Sequence, residues 1–106
     1  MRRGRTARRH RPEVVVYTRS RCGLCRRAEA LVAREARGAM VRHVDVDDDP
    51  ALVTRYGVRV PVVTVDGVEV CELEPTPGAV RAAVRAARTA RGAAGPGRLG
   101  PNGPAP

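Results

Sequence analysis

A chain of 106 residues is long enough to bury one modest hydrophobic core and too short to hold a second catalytic domain as well. Its formal net charge of +9 comes from 20 arginines, since it has no lysine. No apolar stretch is long enough to span a bilayer, and none near the start has the character of a secretory leader. We therefore expect a cytoplasmic protein with no membrane role.

The positive charge is concentrated at the two ends of the sequence. Residues 13–90 contain 12 arginines and all 11 acidic residues, so this part is close to neutral. The basic residues 1–12 could contact phosphates non-specifically, but two tyrosines are the only aromatic residues available to stack on bases. We predict a disordered basic arm over residues 1–12, a folded domain over 13–90, a disordered Gly/Pro-rich tail over 91–106, and no specific nucleic-acid partner.

The hydrophobic pattern at the start of the central part predicts a strand, a helix and a second strand. Residues 13–17 form an almost continuous valine run, which is typical of a strand buried on both faces. A helical repeat of apolar residues follows from Leu24, and Gly38 is placed to end it. Residues 40–46 are then typical of another strand.

The next segment predicts a short helix followed by a hairpin. Asp49 directly before Pro50 is a helix-start signal, and the helix is expected to run to about Tyr56. The sequence VPVVTVDGVEVCEL, residues 60–73, predicts two antiparallel strands. Its Asp66-Gly67 pair suits a two-residue turn of type I′.

A last helix is predicted to begin at Thr76-Pro77, which gives the order strand, helix, strand, helix, strand, strand, helix. A right-handed crossover makes the first two strands parallel. With YTRSRCGLC directly after the first strand and GVRVPVV leading into the third, the sequence resembles a small glutaredoxin-like member of the thioredoxin superfamily over about residues 13–88. The resemblance implies an α/β protein with the thioredoxin fold, a four-stranded mixed sheet flanked by helices.

The cysteines Cys22 and Cys25 lie at the predicted strand-to-helix junction. There the Cys22 sulfur would face unpaired backbone N–H groups and the positive end of the helix dipole, both of which favour the thiolate. Positive charge close in the sequence adds to this effect, from Arg19, Arg21, Arg26 and Arg27. Cys25, nearly one turn on, is expected to lie deeper, to have a higher pKa and to act as the resolving thiol. We therefore predict a thiol-disulfide oxidoreductase whose C-G-L-C dithiol carries the electrons, with no bound cofactor.

The resemblance also implies further substrate-binding residues. In the superfamily the proline matching Pro61 is cis and packs against the cysteine pair, and the residue matching Val60 offers its backbone to the substrate. Glutaredoxins that bind glutathione use a Gly-Gly pair and an acid; the glycines are absent here, whereas Glu74 could supply the acid and Arg19 or Arg21 could bind a carboxylate. We expect a monomer that acts on disulfide-containing proteins or small-thiol substrates and takes electrons from a reductase or from a thiol pool, such as glutathione or another low-molecular-weight thiol.

The residues leave an alternative open, a thioredoxin-fold binding module that holds a partner protein or a metal ion without turnover. A zinc site would need a histidine besides Cys22, Cys25 and Cys71, and the sequence has no second C-x-x-C and no paired histidines. We interpret Cys71 as a core or half-buried thiol. Thiol reactivity separates the two functions, because only the oxidoreductase needs an accessible Cys22 and a reversible bond to Cys25.

Overall fold

The computed structural model describes residues 10–90, which form a four-stranded sheet flanked by three helices. The strands are β1 (Glu13–Thr18), β2 (Met40–Asp45), β3 (Val62–Val65) and β4 (Val68–Glu72). The helices are α1 (Gly23–Glu35), α2 (Pro50–Tyr56) and α3 (Ala79–Ala90), and a single 3₁₀ turn, Val46–Asp48, follows β2. Most of the predicted arm and all of the predicted tail lie outside the described residues.

The sheet has the strand order β2-β1-β3-β4. β1 runs parallel to β2, from Glu13 opposite Met40 to Thr18 opposite Asp45, and β3 is antiparallel to both β1 and β4. The two central strands carry the valine runs, since a strand covered on both faces must be apolar on both. The predicted element order and strand directions are confirmed.

The buried side chains form two clusters. The larger one joins the sheet to α1 and α3, and its members are Val14, Val16, Ala28, Val32, Ala36, Val63, Val65, Val80 and Val84. The smaller one lies at the end of the sheet where β1 leads into α1, and its members are Cys25, Val46, Tyr56, Val60 and Val62. We call the second set the dithiol cluster, because Cys22 and Tyr17 also pack against it.

The hairpin turn and the start of α2 have the conformations that the sequence predicts. Asp66 and Gly67 both have positive φ, +49° and +85°, which is the backbone of the predicted type I′ turn. Asp49 caps α2, its side chain accepting the N–H of Ala51 at 2.9 Å, and Pro50 is the first helical residue.

The start of α3 differs from the prediction. The helix begins at Ala79 and not at Thr76-Pro77, because Gly78 has a φ of +88° and so interrupts a helical path through Pro77. The capping group is also not local. The buried carboxylate of Glu35, at the end of α1, accepts the backbone N–H groups of Gly78 at 2.7 Å and Arg81 at 3.1 Å.

The residues directly before Glu13 contact the folded part of the chain. His10 Nε2 lies 2.6 Å from Asp66 Oδ2, at the hairpin turn. The side chain of Pro12 is fully buried, and its carbonyl accepts the N–H of Met40 at 2.9 Å. The last part of the predicted arm therefore extends the contact between β1 and β2. Within residues 10–90, no helix has both the length and the apolar character needed to cross a bilayer.

Candidate active site

Cys22 lies where β1 passes into α1 and is the N-cap of that helix. Its Sγ accepts the backbone N–H of Cys25 at 3.1 Å, the bond that a serine or aspartate oxygen makes at an ordinary N-cap. Negative charge at this position is favoured by the helix dipole. The side chain of Cys22 is partly exposed, so it is the accessible sulfur of the pair.

Cys25 is the first buried residue of α1 and is completely inaccessible to solvent. Burial raises the pKa of its thiol, and the hydrogen bond with Cys22 raises it further. Hydrogen bonding with the Thr18 side chain and the Arg19 backbone partly opposes this rise in pKa. The predicted difference in depth between the two sulfurs is confirmed, and a raised pKa suits a thiol that reacts second.

Two tyrosines form the aromatic part of the dithiol cluster. Tyr17 of β1 stacks on Tyr56 of α2 with ring centroids 4.1 Å apart and an interplanar angle of 20°. Burial raises the pKa of Tyr56, so its phenol is neutral at ordinary pH. The chain has no other aromatic residues, and both of them lie beside the cysteine pair.

The Val60-Pro61 peptide bond is cis, as the resemblance implies. Val60 is buried within the dithiol cluster and shares it with Cys25, while Pro61 is fully buried directly before β3. The N–H of Leu73 donates to the carbonyl oxygens of Arg59, at 3.1 Å, and Pro61, at 2.9 Å. The segment that ends β4 therefore holds the Val60-Pro61 segment in place.

Arg59 makes a second connection between this segment and β4. Its guanidinium donates to Glu69 at 2.8 and 3.2 Å and to Glu72 at 2.7 Å, and it lies 5.5 Å from the centre of the Tyr56 ring. These bonds raise the pKa of Arg59 above its already high ordinary value and lower the pKa of Glu69.

The side chains of Glu69 and Glu72 would point to opposite faces of a regular strand, because they are three residues apart. The pairing register shifts between Val63 and Thr64, so that β4 has one extra residue, Val70, at this point. This bulge brings the two carboxylates to the same guanidinium. Arg59 could not be identified from the sequence, because strict alternation of side chains along β4 would place Glu69 and Glu72 on opposite faces of the sheet.

Arg19, predicted to bind a substrate carboxylate, already holds one. Its Nε and Nη2 donate to the two oxygens of Asp47 at 3.0 Å each, and Nη1 donates to the carbonyl of Gly57 at 3.0 Å. The pair lowers the pKa of Asp47 and raises that of Arg19. Arg19 thus ties the loop before Cys22 to the turn after β2 and to the end of α2.

Arg21, the other predicted carboxylate ligand, stands directly before Cys22. It is exposed, it has a φ of +58° in the left-handed region, and it makes no ion pair with any of residues 10–90. A left-handed backbone at a non-glycine residue costs roughly 1 kcal/mol and is common at functional loops.

Glu74, predicted to bind the amino end of a glutathione-like ligand, lies against α1. Its carboxylate is 3.6 Å from Arg27 and is largely exposed. The two residues line a groove of about 410 Å³ together with Leu31 of α1 and Pro77 of the β4–α3 connection. Glu74 therefore lies in the lining of this groove, which includes neither cysteine of the pair.

A polar network beside Cys25 was missed by the sequence analysis. The Thr18 hydroxyl, at the end of β1, donates to Glu29 Oε2 at 2.7 Å. Arg26 Nη2 donates to the same Glu29 oxygen at 2.9 Å, to the Thr18 hydroxyl at 3.1 Å and to the carbonyl of Arg19 at 2.7 Å. Glu29 follows Cys25 by four residues on α1, which was the one available signal, since residues at this spacing share a helix face.

The structure offers no support for a protein-built metal site in the part that it describes. Across residues 10–90, no three side chains of the types His, Cys, Asp and Glu gather closely enough to hold an ion. Cys71 is half-buried on β4, as predicted, and burial raises the pKa of its thiol.

Comparison with known proteins identifies a matching family and similar solved structures. The family described as glutaredoxin-like domain matches residues 13–85. A structural genomics target protein from X. campestris is 31% identical with a TM-score of 0.56, over 69% of this chain and 96% of that one. The chain belongs to the glutaredoxin-like domain family. No curated protein matches the sequence.

Two thioredoxins are also similar to this glutaredoxin-like protein. A mutant thioredoxin from Halobacterium salinarum is 27% identical with a TM-score of 0.54, over 73% of this chain and 74% of that one. The oxidised thioredoxin from Plasmodium falciparum is 17% identical with a TM-score of 0.53, over 74% of this chain and 83% of that one, a likeness of fold alone. The protein therefore has the predicted thioredoxin fold, and its close pair Cys22 and Cys25 suggests a redox function.

Proposed function

We propose that this glutaredoxin-like protein is a thiol-disulfide oxidoreductase with Cys22 as nucleophile and Cys25 as resolving thiol. The observation that supports it is the position of Cys22, whose partly exposed sulfur caps α1 and accepts the N–H of Cys25. The second sulfur is buried one turn away. Thiol-disulfide exchange by a dithiol needs this arrangement, one accessible thiolate and a second thiol within reach of it.

The reaction proceeds in two exchange steps. The Cys22 thiolate attacks one sulfur of the substrate disulfide, a Cys22–substrate bond forms, and the other half of the substrate leaves as a thiolate. Cys25 then loses its proton and attacks Cys22 Sγ, which releases the remaining half of the substrate as a second thiolate. The substrate gains two electrons, and the protein dithiol loses two in forming the Cys22–Cys25 disulfide. A reductase or a low-molecular-weight thiol such as glutathione restores the dithiol by the reverse steps.

The substrate is a disulfide, either within a protein or formed by a small thiol compound. It docks beside the Val60-Pro61 segment. Val60 supports this role because it packs in the same cluster as Cys25. Of the two arginines predicted to bind a substrate carboxylate, Arg21 is the better candidate, because the guanidinium of Arg19 is held by Asp47. Glu74 and Arg27 bind any part of the substrate that extends into the groove along α1.

The experiment that tests the proposal is trapping of the intermediate. A Cys25→Ser variant should accumulate a mixed disulfide with a small disulfide substrate, and mass spectrometry should place it on Cys22. Cys71→Ser is included in every variant so that the third thiol does not contribute. The matched Cys22→Ser variant should trap little adduct, because Cys25 is buried. Equal adduct on both variants, or none on either, would show that Cys22 is not the nucleophile.

A further inference from the structure

The helices lie on two sides of the sheet, which gives the domain two separate helical surfaces. Alternate side chains of a strand point to opposite faces of its sheet. Val14 and Val16 of β1 pack in one cluster with residues of α1 and α3, whereas Tyr17 packs with Tyr56 of α2 in the dithiol cluster. The outer sides of α1 and α3 therefore form one surface, and α2 contributes to the other.

The surface formed by α1, α3 and the loop after α1 is basic, and we call it the basic face. Each acidic residue of the two helices and of the β4–α3 connection is paired with an arginine: Glu29 with Arg26, Glu74 with Arg27 and Glu35 with Arg81. The other arginines of this surface are exposed and form no ion pair with any of residues 10–90; they are Arg34, Arg37, Arg85 and Arg88.

Most acidic residues lie elsewhere in the fold. The run of aspartates at positions 45 and 47–49 lies between β2 and α2, and Glu69 and Glu72 of β4 are bound by Arg59. Residues 13–90 are thus close to neutral as a whole, yet their charge is distributed unevenly. A surface with one sign of charge attracts partners of the opposite sign and speeds their association.

The groove beside Glu74 lies in the basic face and runs along α1. Its apolar lining is Ala30, Leu31, Pro75 and Pro77, and its arginines are Arg27 and Arg34. Arg27, Leu31 and Arg34 are four and three residues apart, so they share one face of the helix. Gly23, four residues before Arg27 on that face, is the first residue of α1 and the neighbour of Cys22. The groove therefore follows α1 from Arg34 toward the end of the helix that carries the accessible sulfur.

We propose that this groove and the basic face around it bind an acidic, partly apolar segment of a protein substrate whose disulfide Cys22 attacks. The inference names the substrate class of the proposed oxidoreductase and depends on that function. Charge complementarity supports an acidic occupant, because Arg34 lines the groove and is not neutralised by any of residues 10–90.

The lining of the groove favours a polypeptide over a nucleic acid. A nucleic acid carries a phosphate at every nucleotide, whereas a polypeptide can place apolar side chains on Leu31 and the prolines and carboxylates on the arginines. Single-stranded nucleic acids are also held by stacking on aromatic side chains. The two tyrosines of the chain are in β1 and α2, and neither lies on α1 or α3.

The length of α1 sets the spacing of the carboxylates. At 1.5 Å per residue, Arg27 and Arg34 lie roughly 7.5 and 18 Å from Cys22 along the helix axis. An extended chain covers these distances in about two and about five residues, at roughly 3.3 Å per residue. The substrate is therefore expected to carry acidic residues about two and five positions from its reactive cysteine.

The test compares two synthetic peptides that differ only in charge. The first has one cysteine, with glutamates two and five residues away on both sides and leucines between them; the second has glutamine in place of each glutamate. Each peptide is used as the dimer joined by its own disulfide. The reduced full-length protein carrying Cys71→Ser is mixed with each dimer, quenched with acid at intervals, and assayed by mass spectrometry for the Cys22–Cys25 disulfide.

At low ionic strength the acidic dimer should be reduced about tenfold or more faster than the glutamine dimer, because the basic face speeds its association. The ratio should fall toward one at about 0.5 M salt, where exposed charges are screened over a few ångströms. A purely structural role for the arginines would produce no such dependence on salt.

Variants then locate the preference on the basic face. Arg34→Gln should lower the ratio of the two rates by about threefold, and adding Arg85→Gln should lower it further. Arg34→Lys keeps the charge and should keep most of the preference. Arg42→Gln removes the same charge from β2 and should leave the ratio within about twofold of the parent value. Only differences between variants are compared, because residues 1–9 carry further arginines that attract both dimers differently.

The outcomes separate the docking surface from the function on which it depends. Equal rates for the two dimers at low salt would overturn the docking proposal, as would equal effects of Arg34→Gln and Arg42→Gln on the ratio. Tighter binding of a twelve-nucleotide oligo-dT than of the acidic peptide, lost in Arg34→Gln, would overturn it in favour of a nucleic acid. Self-association in sedimentation that Arg34→Gln abolishes would overturn it in favour of a second copy. If neither dimer were reduced, the oxidoreductase function itself would be wrong.

Discussion

Replacing Glu35 with alanine should destabilise the protein by about 2–4 kcal/mol, because this side chain joins two helices through hydrogen bonds to backbone groups. Glu35 is the last residue of α1, and its carboxylate caps α3 through the N–H groups of Gly78 at 2.7 Å and Arg81 at 3.1 Å. A hydrogen bond to a charged group contributes about 1.5–3 kcal/mol. The guanidinium of Arg81, at 3.8 Å and largely exposed, adds little.

The estimate lies below the sum for two strong bonds because the start of α3 is partly exposed, and water can replace some of the lost contact. The assay is equilibrium urea unfolding, which gives the free energy of unfolding in water. Glu35→Gln keeps one acceptor oxygen and should lose about half as much stability as Glu35→Ala. Glu13→Ala, which breaks an exposed pair with Arg42, should cost no more than about 1 kcal/mol. A loss for Glu35→Ala no larger than that for Glu13→Ala would refute the reasoning.

Two further predictions concern the hairpin and the segment before it. The pKa of Glu69 is lowered in the folded protein, so the stability that its pair with Arg59 provides is present above the ordinary carboxyl pKa and is lost as the pH falls through the folded value. The free energy of unfolding, measured with urea at a series of acidic pH values, should therefore fall less steeply with decreasing pH in Arg59→Gln than in the parent protein. Identical pH profiles for the two proteins would count against the pair. Gly67 has a φ of +85°, so Gly67→Ala should cost about 1 kcal/mol in unfolding free energy, whereas Gly23→Ala, in open space at the start of α1, should be neutral or stabilising. Equal effects of the two alanines would show that the turn conformation does not matter.

Local signals in the sequence predicted the elements and the dithiol well. The Asp49 cap, the Asp66-Gly67 turn and the position of Cys22 depend on residues a few positions apart, and each was found where the pattern indicated. The order of the elements then fixed the sheet, because crossover handedness and the hairpin leave few alternatives.

The contacts that hold the site together could not be predicted, because they join residues far apart in the sequence. Glu35 caps a helix more than 40 residues away, so the start of α3 was misplaced at Thr76-Pro77. In the sequence Arg19 is a positive charge that could bind a substrate carboxylate, whereas in the folded chain it is paired with Asp47. A bulge in β4, which alternation does not reveal, gives Arg59 its two acidic partners. Only the register of the folded chain shows these pairs.

The most direct test of the proposed redox function is an equilibrium titration of the dithiol. The protein carrying Cys71→Ser is equilibrated across a series of thiol/disulfide ratios, alkylated, and examined by mass spectrometry for the Cys22–Cys25 disulfide. We predict a reversible transition that follows a single two-electron midpoint and is reached from both the reduced and the oxidised side. If no Cys22–Cys25 disulfide formed at any ratio, the oxidoreductase function would be wrong, and the fold would serve to bind a partner without redox chemistry.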